Sequence, residues 1–515
     1  MTKALLMAAL VMMSFVRGEL IAMANGVSPV WYQGSLEAGF AEAKRDTKPI
    51  LVYWGAVWCP SCNELKSQVF SQPRFAELMK PMIAIALDGD SEQAQAWGET
   101  LQVHSYPTVL LLSSTGKELM RLPTSVSMSE FETALSAALN DGQNFAAALK
   151  RGLDGKATLA DWRMLAYYNW TGSAPALETT FDLLATQAKL LDRIAESQSS
   201  AHLVAERALL GANFLNSCLS AAPEERKKYY AVGRTQLNWL LDHSAAAQAA
   251  RSTLAYNIEI LGRLYPDNDK ESQKMDQLWS KAAKQIAENP ETSIDIRLWA
   301  QCEPLQLFRL RHKGAPITPA LKLLVIDAVA TADKSAKSGY ERHSFVSGAA
   351  SLLQDAGAVD AARKLLDREL LHTNTPWSYQ SAYASLEKSA GRDAEALARI
   401  QKARESVIGR ASKLQWITAD LAMTASIKSP DQQERLLRLV REYYQEAMQL
   451  HDSFKGRNSK TAARVSEQLK PWLAQPQVRE VVEQYAAKCK TADAPEGCSA
   501  HFAALGLPNG GDTAK

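Results

Sequence analysis

The chain has few cysteines, no paired histidines and almost no net charge. Six cysteines among 515 residues are too few for a disulfide framework that would hold the whole chain together. The formal net charge of +2 gives no electrostatic footprint for nucleic acid, so we expect no nucleic-acid partner. The eight histidines form no metal-binding motif such as HExxH, and the sequence therefore predicts neither a metal centre nor a cofactor. At this length two or more domains are expected.

Apolar runs long enough to span a membrane, about 20 residues, are also lacking. The N-terminal run over residues 4–16 contains 13 apolar or small residues and follows Lys3, which is typical of an export signal. A small-x-small motif at 22–24 predicts cleavage there, so residues 1–24 are predicted to be a signal peptide. Cleavage after Gly18 and an uncleaved anchor are alternatives. Export would place the protein in the periplasm or elsewhere outside the cytoplasm, where disulfides persist.

Two of the cysteines, Cys59 and Cys62, lie where a strand is predicted to end and a helix to begin. Residues 50–54 read Ile-Leu-Val-Tyr-Trp, a buried strand, and residues 63–70 have helical spacing of apolar side chains. Unpaired N–H groups at the start of a helix stabilise an anion, here a thiolate on Cys59. The pattern predicts disulfide exchange, in which Cys62 resolves the mixed disulfide. A structural or zinc-binding CxxC pair is the alternative.

A second motif supports the redox interpretation. Residues 103–108 read Val-His-Ser-Tyr-Pro-Thr and precede the apolar run 109–112. The succession of strand, WCxxC helix, Tyr-Pro-Thr and second strand resembles the thioredoxin family over about residues 30–140. This resemblance implies an α/β thioredoxin-like domain, which we place at residues 25–142. A capping-box pattern at 129–132 predicts the start of its last helix.

The resemblance also implies which residues act. It makes Cys59 and Cys62 the catalytic, redox-active pair and gives Pro107 a cis peptide bond against that pair. Trp58, Tyr106 and Pro107 would then bind the extended backbone of a substrate. The implied partners are protein thiols and disulfides, together with a membrane redox partner that supplies or accepts electrons.

The sequence departs from the thioredoxin pattern at three places near the cysteines. The dipeptide at 60–61 is Pro-Ser, Tyr53 stands where thioredoxins carry a buried acid, and no lysine occurs over 83–87. Proline has no N–H and the serine hydroxyl is a neutral donor, so neither stabilises a thiolate strongly. We therefore expect the pKa of Cys59 to be lowered only moderately, which favours a reductase or isomerase over an oxidase.

The remaining sequence, residues 143–505, is rich in Ala, Leu, Lys, Arg, Glu and Gln with helical spacing. It predicts a large all-α region of helical hairpins. Gly357 and Gly391 lie 34 residues apart before similar helices, which resembles tetratricopeptide repeats over two units. An irregular helical bundle is the alternative. The last residues, 506–515, are predicted to be a disordered tail.

The four other cysteines fall in this helical region. Cys489 and Cys498 bracket a turn-rich loop, and we expect them to form a local disulfide in an oxidising compartment. For Cys218 and Cys302 the sequence leaves two alternatives, a disulfide between them or two free thiols.

These features together predict an exported thiol–disulfide oxidoreductase. It would exchange disulfides with protein substrates through Cys59 and Cys62, while the helical region binds partners on an extended surface. The alternative is an adaptor or chaperone-like binding protein that uses the thioredoxin-like domain as a docking module.

Overall fold

The structure of the protein is a computed structural model that describes six stretches of the chain, residues 30–98, 100–139, 144–170, 182–197, 200–491 and 494–506. The predicted signal peptide, residues 1–24, lies outside the described residues, as do the predicted domain boundary at 142 and the tail beyond 506. These three assignments stay predictions. Within the described stretches, no helix is both long and apolar enough to cross a membrane.

The N-terminal domain, within its described residues, is built on a four-stranded mixed sheet. The strands, in chain order, are β1 Ile50–Gly55, β2 Ile83–Asp88, β3 Thr108–Leu112 and β4 Glu118–Leu122. Their spatial order is β2-β1-β3-β4, in which β2 is parallel to β1 and the other neighbours are antiparallel. Every residue of β1 is buried, because β1 lies between two strands and is covered on both faces.

Helices cover both faces of this sheet. They are α1 Leu36–Asp46, α2 Pro60–Leu65, which a π-helical turn Lys66–Phe70 extends, α3 Pro73–Met79, α4 Glu92–Gly98 and α5 Met128–Leu139. Side chains of a strand alternate between faces. Val52 and Trp54 therefore pack toward α1 and α4, whereas Leu51 and Tyr53 pack toward α2, α3 and α5.

The last helix of this domain begins at a different cap from the one predicted. Ser127 caps α5: its N–H donates to the Glu130 carboxylate at 2.8 Å, and the Glu130 N–H donates to its Oγ at 3.4 Å. Glu132, the acid of the predicted capping box, forms an ion pair with Arg74 instead. The prediction of a capping box starting at Ser129 is therefore wrong by two residues.

The rest of the described chain is helical, as the sequence predicts. The α-helices are α6 Phe145–Leu153, α7 Leu159–Tyr167, α8 Leu183–Glu196, α9 Val204–Ser220, α10 Pro223–Lys227, α11 Tyr230–Asp242, α12 Ser244–Ala249, α13 Arg251–Tyr256, α14 Glu259–Leu264, α15 Lys270–Glu288, α16 Ile294–Gln301, α17 Glu303–Arg311, α18 Pro319–Ser335, α19 Gly339–Asp355, α20 Val359–Leu370, α21 Pro376–Ser389, α22 Asp393–Ser406, α23 Arg410–Ser426, α24 Gln432–Ala447, α25 Asn458–Leu469, α26 Pro476–Lys488 and α27 Cys498–Ala504. Short 3₁₀ turns lie at Ser200–His202 and Lys470–Trp472.

Two neighbouring helix pairs share one turn geometry. Gly357 follows α19 and Gly391 follows α21, with φ angles of 68° and 73°, in the left-handed region that favours glycine. In each pair the second helix packs against the first. The 34-residue spacing seen in the sequence thus marks two similar hairpins, and a tetratricopeptide-like repeat over the whole region stays a prediction.

The N-terminal domain and the helical region share a hydrophobic core. The face of the sheet that carries Leu51 and Tyr53 is continuous, through α5, with Trp162 of α7 and with Ile296 of α16. Separating the two regions would expose apolar surface that is buried in the whole chain. The full chain is therefore the appropriate unit for experiments.

The cysteines of the helical region are now assigned. Cys489 and Cys498 form the predicted local disulfide, with their Cα atoms 5.6 Å apart. Cys218 and Cys302 are both free thiols, so the alternative of a disulfide between them does not apply. Burial raises the pKa of each of these two thiols to about 12, which makes both unreactive at neutral pH.

Candidate functional site

Cys59 and Cys62 lie at the predicted junction, between the end of β1 and the start of α2. Cys59 is the N-cap residue of α2, and its Sγ accepts the backbone N–H of Cys62 at 3.3 Å. Pro60 occupies the first turn, where a backbone N–H has no helical partner. Both thiols are free, and 6% of Cys59 is exposed against 0% of Cys62. Only Cys59 is therefore accessible to a substrate.

The two thiols affect each other's ionisation. The Cys59 thiol donates a hydrogen bond to Cys62, and this bond together with burial holds the pKa of Cys59 well above its ordinary value. Burial acts to raise the pKa of Cys62, but hydrogen bonds from the Cys59 thiol and the backbone of Ala56 outweigh burial and lower that pKa. The first proton that the pair loses therefore comes from Cys62. The expectation of a lowered pKa for Cys59 is wrong in this geometry, because the donors converge on the inner sulfur.

Two further residues, neither of which has a predicted role, act on the pair. The Tyr53 hydroxyl is buried and not aligned for a hydrogen bond with any described residue, yet it contributes to lowering the pKa of Cys62. Lys66 lies 6.0 Å from the centre of the Tyr53 ring, and its charge favours a thiolate on either sulfur. In the sequence, Tyr53 is notable only because it occupies the position of a buried acid in thioredoxins. Nothing in the sequence distinguishes Lys66 from other lysines on helices.

The peptide bond between Tyr106 and Pro107 is cis, as the resemblance implies, and Pro107 is buried. Trp58 and Tyr106 pack against the small apolar cluster that contains Cys59 and Cys62. Their ring centres lie 6.1 Å apart in an edge-to-face arrangement. The structure therefore brings the five residues predicted from the sequence together at the carboxyl end of β1, where β3 begins.

One comparison with known protein families agrees with this fold. A family model described as thioredoxin-like matches residues 30–114. The N-terminal domain is thioredoxin-like. Among solved structures, a chain titled DsbH Oxidoreductase matches 22% of this chain and 88% of its own length, with 17% sequence identity and a TM-score of 0.21. The search of the curated proteins gave no significant match.

On one side of the cysteines, which we call the sealed side, the helical region covers the thioredoxin-like domain. The Trp58 indole N–H donates to Asp90 at 2.7 Å and to Ser412 of α23 at 3.2 Å. The ring of Trp416, one turn further along α23, lies edge-to-face with Trp58 at 6.2 Å. Gly409 makes this approach possible, since a Cβ there would lie 3.0 Å from the Asp90 backbone oxygen.

Arg457, just before α25, forms the second contact of the sealed side. Its guanidinium lies 4.0 Å from the centre of the Tyr106 ring and 3.9 Å from the Asp90 carboxylate. The Tyr106 hydroxyl donates to the same carboxylate at 3.1 Å. Trp58 and Tyr106 thus contact the helical region, and their role toward a substrate stays a prediction.

On the other side of the cysteines, which we call the cavity side, lies a polar cavity of about 430 Å³. Pro60, Ser61 and Glu64 of the CxxC helix form one wall, and helices of the helical region form the other. Burial raises the pKa of Glu64, although its carboxylate accepts a hydrogen bond from Ser293 at 2.6 Å. Among the described residues, no three His, Cys, Asp or Glu side chains are grouped so that they could hold a metal ion.

Proposed function

We propose that the protein is a thiol–disulfide oxidoreductase that works through Cys59 and Cys62. The observation that carries this proposal is the position of Cys59, a free thiol that caps α2 and receives the N–H of Cys62, near the cis peptide bond of Pro107. A thiolate is favoured at the start of a helix, and it is the attacking species in disulfide exchange.

The proposed reaction begins after the pair has lost one proton. The remaining proton moves from Cys59 to Cys62 and leaves a thiolate on Cys59. This thiolate attacks a sulfur of the substrate disulfide, forms a mixed disulfide and releases the other substrate sulfur as a thiolate, which takes up a proton. Cys62 then loses its proton and attacks Cys59, so that the internal disulfide closes and the second substrate thiol leaves. Two electrons have then passed to the substrate, and the reverse sequence oxidises substrate thiols.

We extend this proposal to location and partners. The N-terminal apolar run and the disulfide between Cys489 and Cys498 support export to the periplasm or another oxidising compartment. Protein thiols and disulfides would be the substrates, with Pro107 and its neighbouring backbone holding an extended segment. A membrane redox partner would restore the pair, and the helical region would bind partner proteins. The Pro-Ser dipeptide between the cysteines supports reduction or isomerisation rather than oxidation.

The proposal is tested on the reduced full chain with a fluorescent peptide disulfide. We expect the wild type to cleave it much faster than Cys59→Ser, and Cys218→Ser, which removes an unreactive thiol, to match the wild type. An adaptor that only uses the domain for docking would bind partner proteins without disulfide cleavage above the rate of Cys59→Ser. That outcome would refute the proposed function.

A further inference from the structure

The side chains that line the cavity favour a ligand with a positive charge. Two carboxyl groups line the cavity, from Glu64 on the CxxC helix and Asp295 on α16. The other lining side chains are hydroxyls, amides, aromatic rings and small residues, and none of the described lining residues is a lysine, arginine or histidine. Burial raises the pKa of both carboxyl groups, so a cation bound here would favour their ionised forms beside the residues that separate the two cysteines.

Asp295 has one oxygen without a well-aligned donor. Its Oδ2 accepts the Tyr256 hydroxyl at 2.7 Å, whereas its Oδ1 is buried and forms no well-aligned hydrogen bond with the described residues. The Trp299 side chain also acts as a donor toward this carboxyl and opposes the rise of its pKa. The Ser125 hydroxyl, on the thioredoxin-like wall of the same cavity, is likewise buried without a partner there. Buried polar atoms are nearly always paired in folded proteins, so these two atoms point to a bound group.

Arg251, the cation whose charge acts on Glu64, is already engaged. Arg251, at the start of α13, donates to Glu130 at 2.7 Å in a largely buried ion pair between the helical region and the thioredoxin-like domain. Its charge reaches Glu64 only at a distance, as a coulombic effect. Arg251 therefore neutralises Glu130, and among the described residues Glu64 and Asp295 have no paired cation.

Aromatic rings complete the surroundings of these carboxyl groups. Tyr256 and Trp299 both line the cavity, with ring centres 5.9 Å apart in an edge-to-face arrangement. The faces of such rings attract ammonium and guanidinium groups. Carboxylates and aromatic rings together thus select a cation.

We propose that this cavity binds the ammonium or guanidinium group of the substrate, so that the enzyme prefers thiols and disulfides carrying a positive charge close to sulfur. This inference rests on the proposed exchange activity. Pro60 and Ser61 belong to the cavity wall, so a ligand anchored at Asp295 and Glu64 lies beside the dipeptide that connects the two cysteines. The bonds made and broken are those of the exchange reaction described above, and the cationic group stays unchanged.

The test compares three small disulfides of similar size with the reduced full chain. Cystamine carries ammonium groups, hydroxyethyl disulfide is neutral and dithiodipropionate is anionic. The rate of mixed-disulfide formation is followed by mass spectrometry of the Cys59 peptide in Cys62→Ser protein, and each rate is divided by that of free dithiothreitol. We expect cystamine to be preferred over the neutral disulfide by about tenfold or more, because hydrogen bonds to charged groups are the strong ones.

Variants locate the preference. Asp295→Asn and Glu64→Gln, each added to Cys62→Ser, should lower the ratio of cystamine to neutral rate, and the two together should bring it close to one. Glu303→Gln is the matched control, because Glu303 is also a buried carboxyl with a raised pKa but lies outside this cavity. A peptide disulfide with lysine beside cysteine, compared with the same peptide containing norleucine, shows whether the charge may come from a peptide.

The outcomes separate this inference from the proposed function. Equal normalised rates for all three disulfides, or a preference that survives the double variant, would overturn the cation site while leaving exchange in place. Absence of any mixed disulfide on Cys59 would refute the exchange activity itself. Thermal unfolding of each variant shows that a lost preference is not a lost fold.

Discussion

The helical region covers both sides of the cysteine pair, but the side chains that form the two contacts differ in kind. On the sealed side, Trp58 and Tyr106 are held by the ring of Trp416 and the guanidinium of Arg457. On the cavity side, carboxyl, hydroxyl and amide groups surround about 430 Å³ of space. The sealed side is closed by packed side chains, whereas the polar groups of the cavity side leave space between them.

This difference indicates how a substrate reaches the cysteines. Aromatic and cation–π contacts at the sealed side must be separated before a protein could contact Trp58 there. The cavity side needs no such opening, because the space beside Pro60 and Ser61 already exists. The cavity side therefore offers a small substrate space beside Pro60 and Ser61, whereas the sealed side fixes the helical region in place.

Loss of either cysteine tests the part common to both sides and has the largest expected effect. Cys59→Ser should slow exchange more than about a thousandfold, because the attacking sulfur is gone. Cys62→Ser should instead accumulate mixed disulfides, visible as linked partners when the protein is purified from cells without reductant. Linked partners on Cys59→Ser but not on Cys62→Ser would reverse the two roles.

The sequence predicted the residues of this common part because their signals are local. A strand, a CxxC pair and Tyr-Pro-Thr lie within one domain, so a single resemblance predicts the cis bond of Pro107 and its place near the cysteines, while the roles of Cys59, Cys62 and Pro107 stay predictions. The ionisation of the pair was not predictable in the same way. It depends on which sulfur the Ala56 backbone and the Tyr53 hydroxyl face, and that is decided by packing.

Neither side of the pair could be predicted from the sequence. Ser412, which binds the Trp58 indole, is separated from it by 354 positions, and no periodicity links them. Asp295 lies in an ordinary amphipathic helix, where an acidic residue normally faces solvent. Their roles arise only when the helical region folds back onto the thioredoxin-like domain.

The pH dependence of stability tests the charge of the cavity side. Burial and the neighbouring Glu64 raise the pKa of Asp295 to about 7, well above the ordinary value of an aspartate. The unfolded chain therefore releases this proton near pH 4, whereas the folded chain keeps it until about pH 7, so stability falls as pH rises between these values. Asp295→Asn removes this contribution, which is on the order of 2–4 kcal/mol.

The measurement is the urea midpoint of wild type and Asp295→Asn from pH 4 to pH 8. The urea midpoint of Asp295→Asn should increase relative to that of the wild type as pH rises, and most of this increase should appear below pH 7. Glu64 and the Tyr256 hydroxyl face Asp295, so Glu64→Gln should lower the pH at which the gain is complete. A constant difference at every pH would show that Asp295 does not titrate in this range.

Opening the sealed side is expected to have a smaller effect. Arg457→Ala removes a cation–π contact worth about 1–2 kcal/mol, which would raise the population of molecules whose sealed-side contacts are separated about five- to thirtyfold. The labelling rate of Cys59 by a bulky maleimide should rise accordingly, while labelling by small iodoacetamide should change less.

Arg399→Ala is the matched control for this experiment. Arg399 lies 3.9 Å from the centre of the Tyr383 ring within the helical region, much as Arg457 lies 4.0 Å from that of Tyr106. It should therefore lose a similar contact without exposing Cys59. Equal acceleration of maleimide labelling by the two variants would mean that general loosening, not the sealed side, controls access.

The smallest expected effect concerns Tyr53, a buried residue of β1 whose hydroxyl acts on Cys62. Tyr53→Phe keeps the ring in the core and removes only the hydroxyl, so the pKa of Cys62 should rise and exchange with a small disulfide should change about two- to tenfold. Thiolate absorbance against pH, recorded with Cys218 and Cys302 replaced by serine, measures this shift.

Tyr443→Phe is the control, because the Tyr443 hydroxyl is also buried and unpaired among the described residues but lies in the helical region. If Tyr53→Phe and Tyr443→Phe give the same titration as the wild type, the Tyr53 hydroxyl only packs against the pair and does not stabilise the thiolate. A rise confined to Tyr53→Phe would show that a neutral hydroxyl takes over part of the task of the buried acid at this strand position.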